Sequence, residues 1–408
     1  MSTLLLSYFK EKRRVVFFFL LTYLDKSISF ALPLVLLFVV KDNLLYTSVE
    51  VAYSYATIII VVAEIGITNY LFFGYRESND KERFIEKSEL YFKALFVLYT
   101  ILYSFGIGLL YMFGYENFIL ILLIGVRTQY LFYVNFYSNI YRLKETPSKI
   151  YVITLIVNLT SILLLIFADQ FANSYTVVFF LFAFLILIIG ASVTFLKDFH
   201  QFKLSEFLDF SNKALKFSWP IILNLLAMNF VNNYAKIYAY QNLSQQEMIE
   251  ISFILRIGMI IQLTHSAFAS YFSKSLFMDK SRKFDWKIFK KYAIIIGLSS
   301  ALSILIILIT DYALNSYILI DFNTRTVFFL LYIVLWCFVG YLELYFGVYN
   351  ANRMILYFSI ISSIVYIALL KSSTEISLNL ISIFMLISGL LNLTMVIFGL
   401  RRLHVFSN

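Results

Sequence analysis

The chain has 408 residues, of which 61% are hydrophobic and only 14% are charged, and its mean hydropathy is +0.83. A soluble domain does not need so much apolar sequence, and the apolar stretches of about 20 residues can each cross a bilayer core of about 30 Å. The net charge of +9 gathers at the ends of these stretches, which is typical of membrane topology and not of nucleic-acid binding. The stretches do not alternate as in a β-barrel, so we predict an all-α polytopic membrane protein.

We predict about twelve transmembrane helices, in chain order roughly at residues 15–40, 46–74, 89–114, 117–140, 149–168, 174–196, 216–240, 248–271, 292–314, 324–349, 354–371 and 377–400. Most of the 33 Lys and Arg residues lie at the two termini or in alternate gaps between these spans. The positive-inside rule therefore places both termini and the basic gaps in the cytoplasm. Three cations fall in the other gaps: Lys41, Arg325 and Lys371. The first apolar stretch is too long for a cleaved signal, so we expect a retained first helix.

The gap at 197–216 is the longest link between two sets of six spans. We therefore predict an N-terminal six-helix bundle over residues 1–211 and a C-terminal six-helix bundle over residues 212–408. Six plus six spans suggest an internal repeat. Pro220 lies at the start of the seventh span, where it either permits a bend or begins the helix. The gaps at 197–216 and 272–291 are long enough to form short amphipathic helices on the membrane surface.

Charged side chains inside the spans mark the candidate functional residues, because a charge at the bilayer centre costs on the order of 3 kcal/mol. The first span carries Asp25 and Lys26, which point about 100° apart on a helix, so we expect a separate partner for each. Lys26 is a candidate for a cation that faces a cavity, and Asp25 is either a counter-ion or a ligand of a coupling ion. The second span carries Glu64, which either couples transport to H⁺ or Na⁺ or neutralises an internal cation.

The fourth span carries a stripe of Tyr residues next to an Arg. Its members recur at spacings of three and four and so share one face: Arg127, Tyr130, Tyr133, Tyr137 and Tyr141. Tyr rings offer an apolar face and a hydroxyl, which suit sugar rings, but Tyr also forms aromatic belts at membrane interfaces. The stripe is therefore either a lining for the substrate or part of such a belt. Lys93, at the inner end of the third span, is expected to snorkel.

The second half carries polar residues in its seventh, eighth and tenth spans. The seventh span has a stripe that combines a Lys with three Asn residues: Asn224, Asn232, Asn233 and Lys236. The Asn residues either line a substrate path or join helices by hydrogen bonds. Lys236 either faces that path or snorkels to the nearby outer end of the span. Arg256 in the eighth span lies too deep to snorkel, so it is our leading candidate for an anion-binding cation, with a structural ion pair as the alternative. Glu343 in the tenth span either couples transport to an ion or neutralises a cation.

Sequence motifs of catalysis and of metal binding are absent. There is no G-x-x-x-x-G-K phosphate loop and no H-E-x-x-H motif, and the three His residues are scattered. Cys337 is the single Cys, so no intrachain disulfide can form. We therefore predict a transporter and not an enzyme, with no cofactor and no metal site.

Three segments carry a family resemblance: AEIGITNYLFFGYRE at the end of span 2, KFSWPIILNLL at the start of span 7 and ISFILRIGMIIQLTHSAFASYFSKSL in span 8. They resemble segments of the bacterial lipid-linked oligosaccharide flippases, which are Wzx-type O-antigen exporters in the superfamily that includes the MATE efflux proteins. The likeness covers essentially the whole chain in length, span count and loop pattern. In this resemblance Lys26 and Arg256 correspond to internal cations of the first and eighth helices. The chain departs from the family in having an Asp beside Lys26.

The resemblance implies two six-helix bundles around a central cationic cavity that opens to one side at a time. It also implies that the substrate is an oligosaccharide repeat unit linked to undecaprenyl pyrophosphate. We therefore expect an inner-membrane flippase in the biosynthesis of O-antigen or a similar surface polysaccharide. Its expected partners are this lipid-linked substrate, H⁺ or Na⁺, membrane lipid and other polysaccharide-assembly proteins, and not nucleic acid.

Three other functions stay open at this point. A MATE-type antiporter of small molecules or cations favours an acidic cavity, against which five internal cations argue: Lys26, Lys93, Arg127, Lys236 and Arg256. A membrane polysaccharide polymerase usually carries a large outer loop, and the outer gaps here are all short. A lipid II flippase commonly adds two further helices, for which twelve spans leave no room.

Overall fold

The computed structural model describes residues 2–144, 146, 148–171, 176–198, 201–278, 284–314, 322–349, 351–373 and 376–405. Within these ranges the chain forms thirteen α-helices and no β-strand. Twelve of its segments are long and apolar enough to cross a membrane. The predicted all-α polytopic architecture with twelve spans is therefore confirmed, and the thirteenth helix arises because the second span is interrupted.

The chain divides into two compact units, unit 1 at Met1–Trp219 and unit 2 at Pro220–Asn408. Seven helices lie wholly in unit 1: α1 (Ser2–Phe38), α2 (Asn43–Ala63), α3 (Ile67–Glu77), α4 (Lys81–Met112), α5 (Phe118–Leu143), α6 (Ser148–Phe171) and α7 (Thr176–Asp198). In this unit α1 packs against α6, and α2 packs against α5. These contacts bring together polar side chains of the first, second, fourth and fifth spans.

The division between the units falls inside one long helix, α8 (Leu204–Asn242). Five further helices lie in unit 2: α9 (Gln245–Met278), α10 (Trp286–Leu314), α11 (Thr324–Val348), α12 (Asn352–Ser372) and α13 (Leu378–Arg402). In this unit α11 packs against both α9 and α13, and α12 packs against α13. The two six-helix bundles with a boundary between residues 211 and 212 stay a prediction.

Helix α8 is longer than the predicted seventh span at 216–240. Instead of a separate short helix in the preceding gap, one helix runs from Leu204 within that gap to Asn242, and at 1.5 Å per residue it is about 58 Å long. Its first turns pack on α3, where the rings of Phe73 and Phe217 stack with centroids 4.4 Å apart. Pro220 lies inside α8, so the interpretation that it begins the helix is wrong.

The second span, predicted as one helix over residues 46–74, is interrupted between α2 and α3. Helix α2 ends at Ala63 with Glu64 as its C-cap, and the next two residues, Ile65 and Gly66, adopt positive φ angles of 48° and 72°. A Cβ atom on Gly66 would lie 2.4 Å from the Cβ of Ser218 in α8, so only glycine permits this approach. The interruption places Glu64 at the C-cap of α2 and Thr68 in the first turn of α3.

Candidate substrate and ion sites in the membrane-spanning helices

Five polar side chains of unit 1 form a group that we call the Arg127 cluster, of which Tyr53 and Arg127 are half-buried and the others buried: Asp25, Tyr53, Arg127, Tyr130 and Asn158. Asp25 is only 1% exposed, and its Oδ1 accepts a hydrogen bond of 3.4 Å from Nδ2 of Asn158. Asp25 belongs to α1 and Asn158 to α6, which are packed against each other. Four helices thus place charged and polar groups at one point inside the predicted membrane-spanning region.

The guanidinium group of Arg127 lies between two Tyr rings of this cluster. Its Cζ is 3.9 Å from the ring centroid of Tyr53 and 5.1 Å from that of Tyr130. Such contacts stabilise a desolvated cation by about 2 kcal/mol, but they use the ring faces and not hydrogen-bond acceptors. Nε and Nη1 of Arg127 are buried and have no hydrogen-bond partner among the described residues. The cluster therefore holds a cation with unused donors, which can bind an anion.

Lys26 does not have the separate partner that we predicted for it. Its Nζ lies 3.9 Å from Oδ2 of Asp25, and the two side chains are 37% and 2% exposed respectively. The prediction of separate partners is wrong because the flexible four-carbon stem of Lys can turn back to a neighbouring residue although the two Cβ atoms diverge. The half-exposed Lys26 thus provides part of the counter-charge for the buried Asp25.

The Tyr stripe of α5 is packed inside unit 1. Tyr130 is 4% exposed and meets Phe184 of α7 edge to face, with centroids 5.0 Å apart. Tyr133 and Tyr137 are half-buried with centroids 4.6 Å apart, and both pack on a hydrophobic cluster formed by α1 and α6. These contacts place Tyr130 in the Arg127 cluster and the other two rings beside α1. A sugar-lining role for the stripe stays a prediction.

Glu64 lies at the interruption between α2 and α3 and is 7% exposed. Its Oε1 accepts a hydrogen bond of 2.8 Å from Nδ2 of Asn135 in α5. Lys93, by contrast, has a carboxylate partner, because its Nζ lies 2.6 Å from Oδ2 of Asp198 in α7. Glu64 is therefore hydrogen-bonded by an amide, whereas Lys93 in α4 is paired with a carboxylate.

Arg256 and Lys236 are buried cations in the part of unit 2 that the structure describes. They are 3% and 8% exposed, and neither is without a partner. A further ion pair joins α9 to α11, with Nε of Arg325 located 2.7 Å from Oε1 of Glu250. Arg325 is one of the cations outside the basic gaps, and this buried acid explains its position. The predicted anion-binding role of Arg256 and Lys236 stays a prediction.

The Asn stripe of α8 is bonded mainly within its own helix. Nδ2 of Asn233 donates to the backbone carbonyl of Asn229 at 2.9 Å, and Nδ2 of Asn224 points to the sulfur of Met228 at 3.8 Å. Oδ1 of Asn224 is buried and has no hydrogen-bond partner among the described residues, and Asn232 is half-buried. Asn224 thus has a buried acceptor that is unused, and a substrate-lining role for the stripe stays a prediction.

Glu343 in α11 lies on the same helix face as a small cavity of unit 2. The cavity has a volume of about 20 Å³ and is lined by Trp336 and Asn392 among others. Nε1 of Trp336 and Oδ1 of Asn392 have no hydrogen-bond partner among the described residues, and the same holds for Oε1 of Glu343. A volume of this size holds one water molecule. One water can bond Trp336 and Asn392, while Glu343 keeps an unused acceptor.

Two Asn residues of these sites were not predicted from the sequence. Asn158 and Asn135 each interrupt a membrane-spanning segment with an amide, which in an apolar helix usually bonds another helix. The amide in each apolar span could be recognised from the sequence, but the residue that each amide bonds could not. Among the described residues, no group of three or more His, Cys, Asp or Glu residues is arranged to hold a metal ion.

The chain was compared with known proteins by sequence and by structure. No protein-family model and no curated protein sequence matches it. Among solved structures, it is similar to the lipid II flippase MurJ in an inward closed conformation, with a TM-score of 0.58 and 12% identity, over 95% of this chain and 87% of that one.

Two transporters of the MOP superfamily are also similar to it. One is an inward-facing multidrug-resistance MATE transporter, with a TM-score of 0.56 and 14% identity over 94% of each chain. The other is a MOP-superfamily transporter from Pyrococcus furiosus, with a TM-score of 0.54 and 13% identity, over 97% of this chain and 96% of that one. At such low identity these similarities describe the fold alone. The chain is therefore a multi-pass membrane protein with the fold of the MOP-superfamily transporters.

Proposed function

We propose that the protein is a flippase of the cytoplasmic membrane. It moves an oligosaccharide repeat unit linked to undecaprenyl pyrophosphate, of O-antigen or a similar surface polysaccharide, from the cytoplasmic to the outer leaflet by alternating access. The observation that carries the proposal is the state of Arg127, a cation inside a membrane span whose buried Nε and Nη1 have no hydrogen-bond partner among the described residues. A cation retained there at such cost indicates an anionic ligand.

A pyrophosphate head group matches this site chemically. It carries several negative charges, so it cannot cross the hydrocarbon layer unless protein groups replace its hydration. Arg offers planar, permanently charged donors that suit phosphate oxygens, and its weak hydration lowers the cost of burying it. Arg127 provides this group in unit 1, where the half-exposed Lys26 adds positive charge. Unit 2 by itself carries two further buried cations, Lys236 and Arg256.

The remaining parts of the substrate require different surroundings. Tyr130, Tyr133 and Tyr137 present rings and hydroxyl groups on which sugars can stack, and Asn224, Asn232 and Asn233 supply amides for sugar hydroxyls. The polyprenyl tail can stay in the bilayer during transfer. With a negative cell interior, outward movement of an anion is favoured by about 2.3 kcal/mol per charge per 100 mV. Entry of H⁺ or Na⁺ at Asp25, Glu64 or Glu343 adds a second driving force.

Replacement of Arg127 tests the proposal directly. Arg127→Ala in the source organism should abolish surface polysaccharide, because the pyrophosphate loses a desolvated partner. Arg142→Ala is the matched control, since Arg142 lies in the last turn of the same helix and is exposed. Polysaccharide at the cell surface is measured at equal amounts of membrane-inserted protein. Wild-type polysaccharide in Arg127→Ala, or an equal loss in Arg142→Ala, contradicts the assignment.

A MATE-type antiporter of small molecules or cations is the second candidate. The observation that favours it is Glu343, whose buried Oε1 has no hydrogen-bond partner among the described residues. Such an acid can attract an organic cation. Deletion of the gene distinguishes the two functions, because loss of a flippase removes surface polysaccharide, whereas loss of a drug exporter increases sensitivity to cationic drugs and leaves polysaccharide intact.

A further inference from the structure

A histidine of unit 2 is hydrogen-bonded inside a helix long and apolar enough to span the membrane. His265 of α9 is 7% exposed, and its Nδ1 lies 2.7 Å from the hydroxyl oxygen of Tyr292 in α10. The same hydroxyl lies 2.7 Å from the backbone carbonyl oxygen of Cys337 in α11. One hydrogen-bonded chain thus joins three helices of unit 2. Ionisable side chains inside a membrane span are costly, which makes His265 a candidate functional residue.

The hydroxyl of Tyr292 determines which nitrogen of His265 carries the ring proton. A hydroxyl has a single proton, whereas a backbone carbonyl can only accept a hydrogen bond. The hydroxyl donates to the carbonyl of Cys337, since two oxygen atoms this close repel each other unless a proton lies between them. Nδ1 of His265 therefore carries the ring proton and donates it to the hydroxyl oxygen. The other ring nitrogen, Nε2, is left as a bare acceptor.

Nε2 of His265 lies against α11 at Gly340. A Cβ atom on Gly340 would lie only 2.9 Å from Nε2, so the ring fits because this residue has no side chain. The ring of Trp336, one turn earlier on α11, meets the imidazole edge to face with centroids 5.7 Å apart. Among the described residues, Nε2 has no hydrogen-bond partner. A bare nitrogen thus faces one side of α11.

Glu343 lies on the same side of α11. Trp336, Gly340 and Glu343 follow one another at spacings of four and three residues, which place them on one helix face. Glu343 is about 4.5 Å beyond Gly340 along the helix axis, and helical side chains tilt back toward the N-terminus, which inclines it toward the imidazole. Oε1 of Glu343 is buried without a hydrogen-bond partner in the part of the chain that the structure describes. Two unused acceptors therefore share this face.

One proton satisfies both acceptors. Without it, the pair consists of a buried carboxylate and a bare imidazole nitrogen, and burying such groups without a hydrogen bond is costly. A proton on Nε2 of His265 creates a donor for the carboxylate of Glu343, and the negatively charged pair becomes neutral. A metal ion fits poorly, because one imidazole and one carboxylate leave most of its coordination sphere empty.

The surroundings leave Glu343 as the acid nearest to this imidazole. Helix α9 packs against α10 and α11, and it has no Asp, Glu, Lys or Arg within one turn of His265. Neither His265 nor Glu343 interacts with a Lys or Arg among the described residues. The basic residues of α10, α12 and α13 closest to this region are exposed: Lys290, Lys291, Arg353, Arg401 and Arg402. The other titratable groups here are weaker acids: Tyr292, Cys337 and Tyr341.

We propose that Nε2 of His265 and the carboxylate of Glu343 bind one proton between them and form a coupling-ion site in unit 2. Both residues lie about two turns before the predicted cytoplasmic ends of their spans, so the proton is exchanged with the cytoplasm. As a coupling-ion site of the flippase, this proposal rests on the proposed function, but proton binding itself can be measured without any lipid-linked substrate.

The test is ¹⁵N NMR of the histidine rings in the purified full-length protein, reconstituted in lipid bilayers. The chain has only three His residues, so His200→Gln and His404→Gln together leave His265 as the single labelled ring. Ring nitrogen shifts distinguish the two neutral tautomers from the imidazolium. His265 should carry its proton on Nδ1 at about pH 8, and acidification to about pH 5 should add a second proton on Nε2.

Glu343→Gln keeps the shape of the side chain and removes its charge. Protonation of Nε2 should then require a proton concentration about tenfold higher or more, because an adjacent carboxylate favours the imidazolium. Glu247→Gln is the matched control, since Glu247 lies in the first turn of α9, about 27 Å along that helix from His265. This variant should titrate like the wild type.

The outcomes separate the proton site from the proposed function. A proton on Nε2 instead of Nδ1 at about pH 8, a ring that stays neutral at about pH 5, or an unchanged titration in Glu343→Gln overturns the shared proton even if Arg127→Ala abolishes export. Protonation that depends on Glu343 supports the proton site even if Arg127→Ala leaves export intact. The tautomer is measured with Glu343 in place, so the test does not depend on whether Glu343→Gln folds.

Discussion

The ion pair between Glu250 and Arg325 allows a prediction whose size and direction follow from burial. The two charged atoms are 2.7 Å apart, and the side chains are 4% exposed for Glu250 and 23% exposed for Arg325. Breaking a buried ion pair by removing one partner costs about 3–5 kcal/mol. Arg325→Ala should cost this amount, because Glu250 loses the guanidinium located 2.7 Å away while only 4% of its side chain is exposed to water. Glu250→Ala should cost less, because the remaining guanidinium is partly exposed.

Thermal unfolding of the purified protein in mild detergent measures this difference. For a unit of this size, 1 kcal/mol shifts the unfolding midpoint by about 2–4 °C, so Arg325→Ala should lower it by about 6–20 °C. Lys213→Ala serves as the control, since Lys213 pairs with Asp209 at the surface, where both side chains are more than half exposed and a pair contributes less than about 1 kcal/mol. A midpoint in Arg325→Ala within 2 °C of wild type, or a larger loss in Glu250→Ala, would refute the reasoning.

Two further predictions concern the interruption in the second span and the buried cation of α9. Gly66→Ala should destabilise the protein by about 2–5 kcal/mol, because an L residue at positive φ and a Cβ pressed against Ser218 each add a cost. Gly190→Ala, where a Cβ meets nothing within 4 Å, should be neutral or stabilising, and equal midpoints for the two variants would argue against this packing. Arg256→Ala should abolish surface polysaccharide at normal protein levels, and Arg256→Lys should retain part of it. Normal polysaccharide in Arg256→Ala would remove this residue from the anion path.

The positions of the spans could be predicted because they depend on local composition. A backbone inside the bilayer must satisfy its own hydrogen bonds, so an apolar stretch of sufficient length forms a helix whatever its neighbours are. Arg127 and Tyr130 could likewise be placed together, since residues three apart share a helix face. The boundaries were less accurate, because the amphipathic start of α8 is helical without being apolar enough to count as a span.

The partners of the polar groups were decided by tertiary structure. Asp25 and its donor Asn158 are 133 positions apart in the chain, and the carbonyl of Gly66 is bonded by Ser218, which lies 152 positions further on. No local pattern contains such pairs. The interruption at Glu64 depends in the same way on Ser218 and on Tyr99, which bonds the carbonyl of Ala63, because without their hydroxyls the freed carbonyls would remain unsatisfied in the membrane.

Sequence alone therefore determined the fold class and the set of charged residues that a bilayer makes costly. Hydropathy and helical period are properties of short segments, so they can be read without knowledge of the rest of the chain. Tertiary structure decided which of those charges are already paired, such as Lys93 with Asp198, and which keep unused donors, such as Arg127. Pairing is a property of helices packed side by side, and it separates a structural ion pair from a site that can bind a ligand.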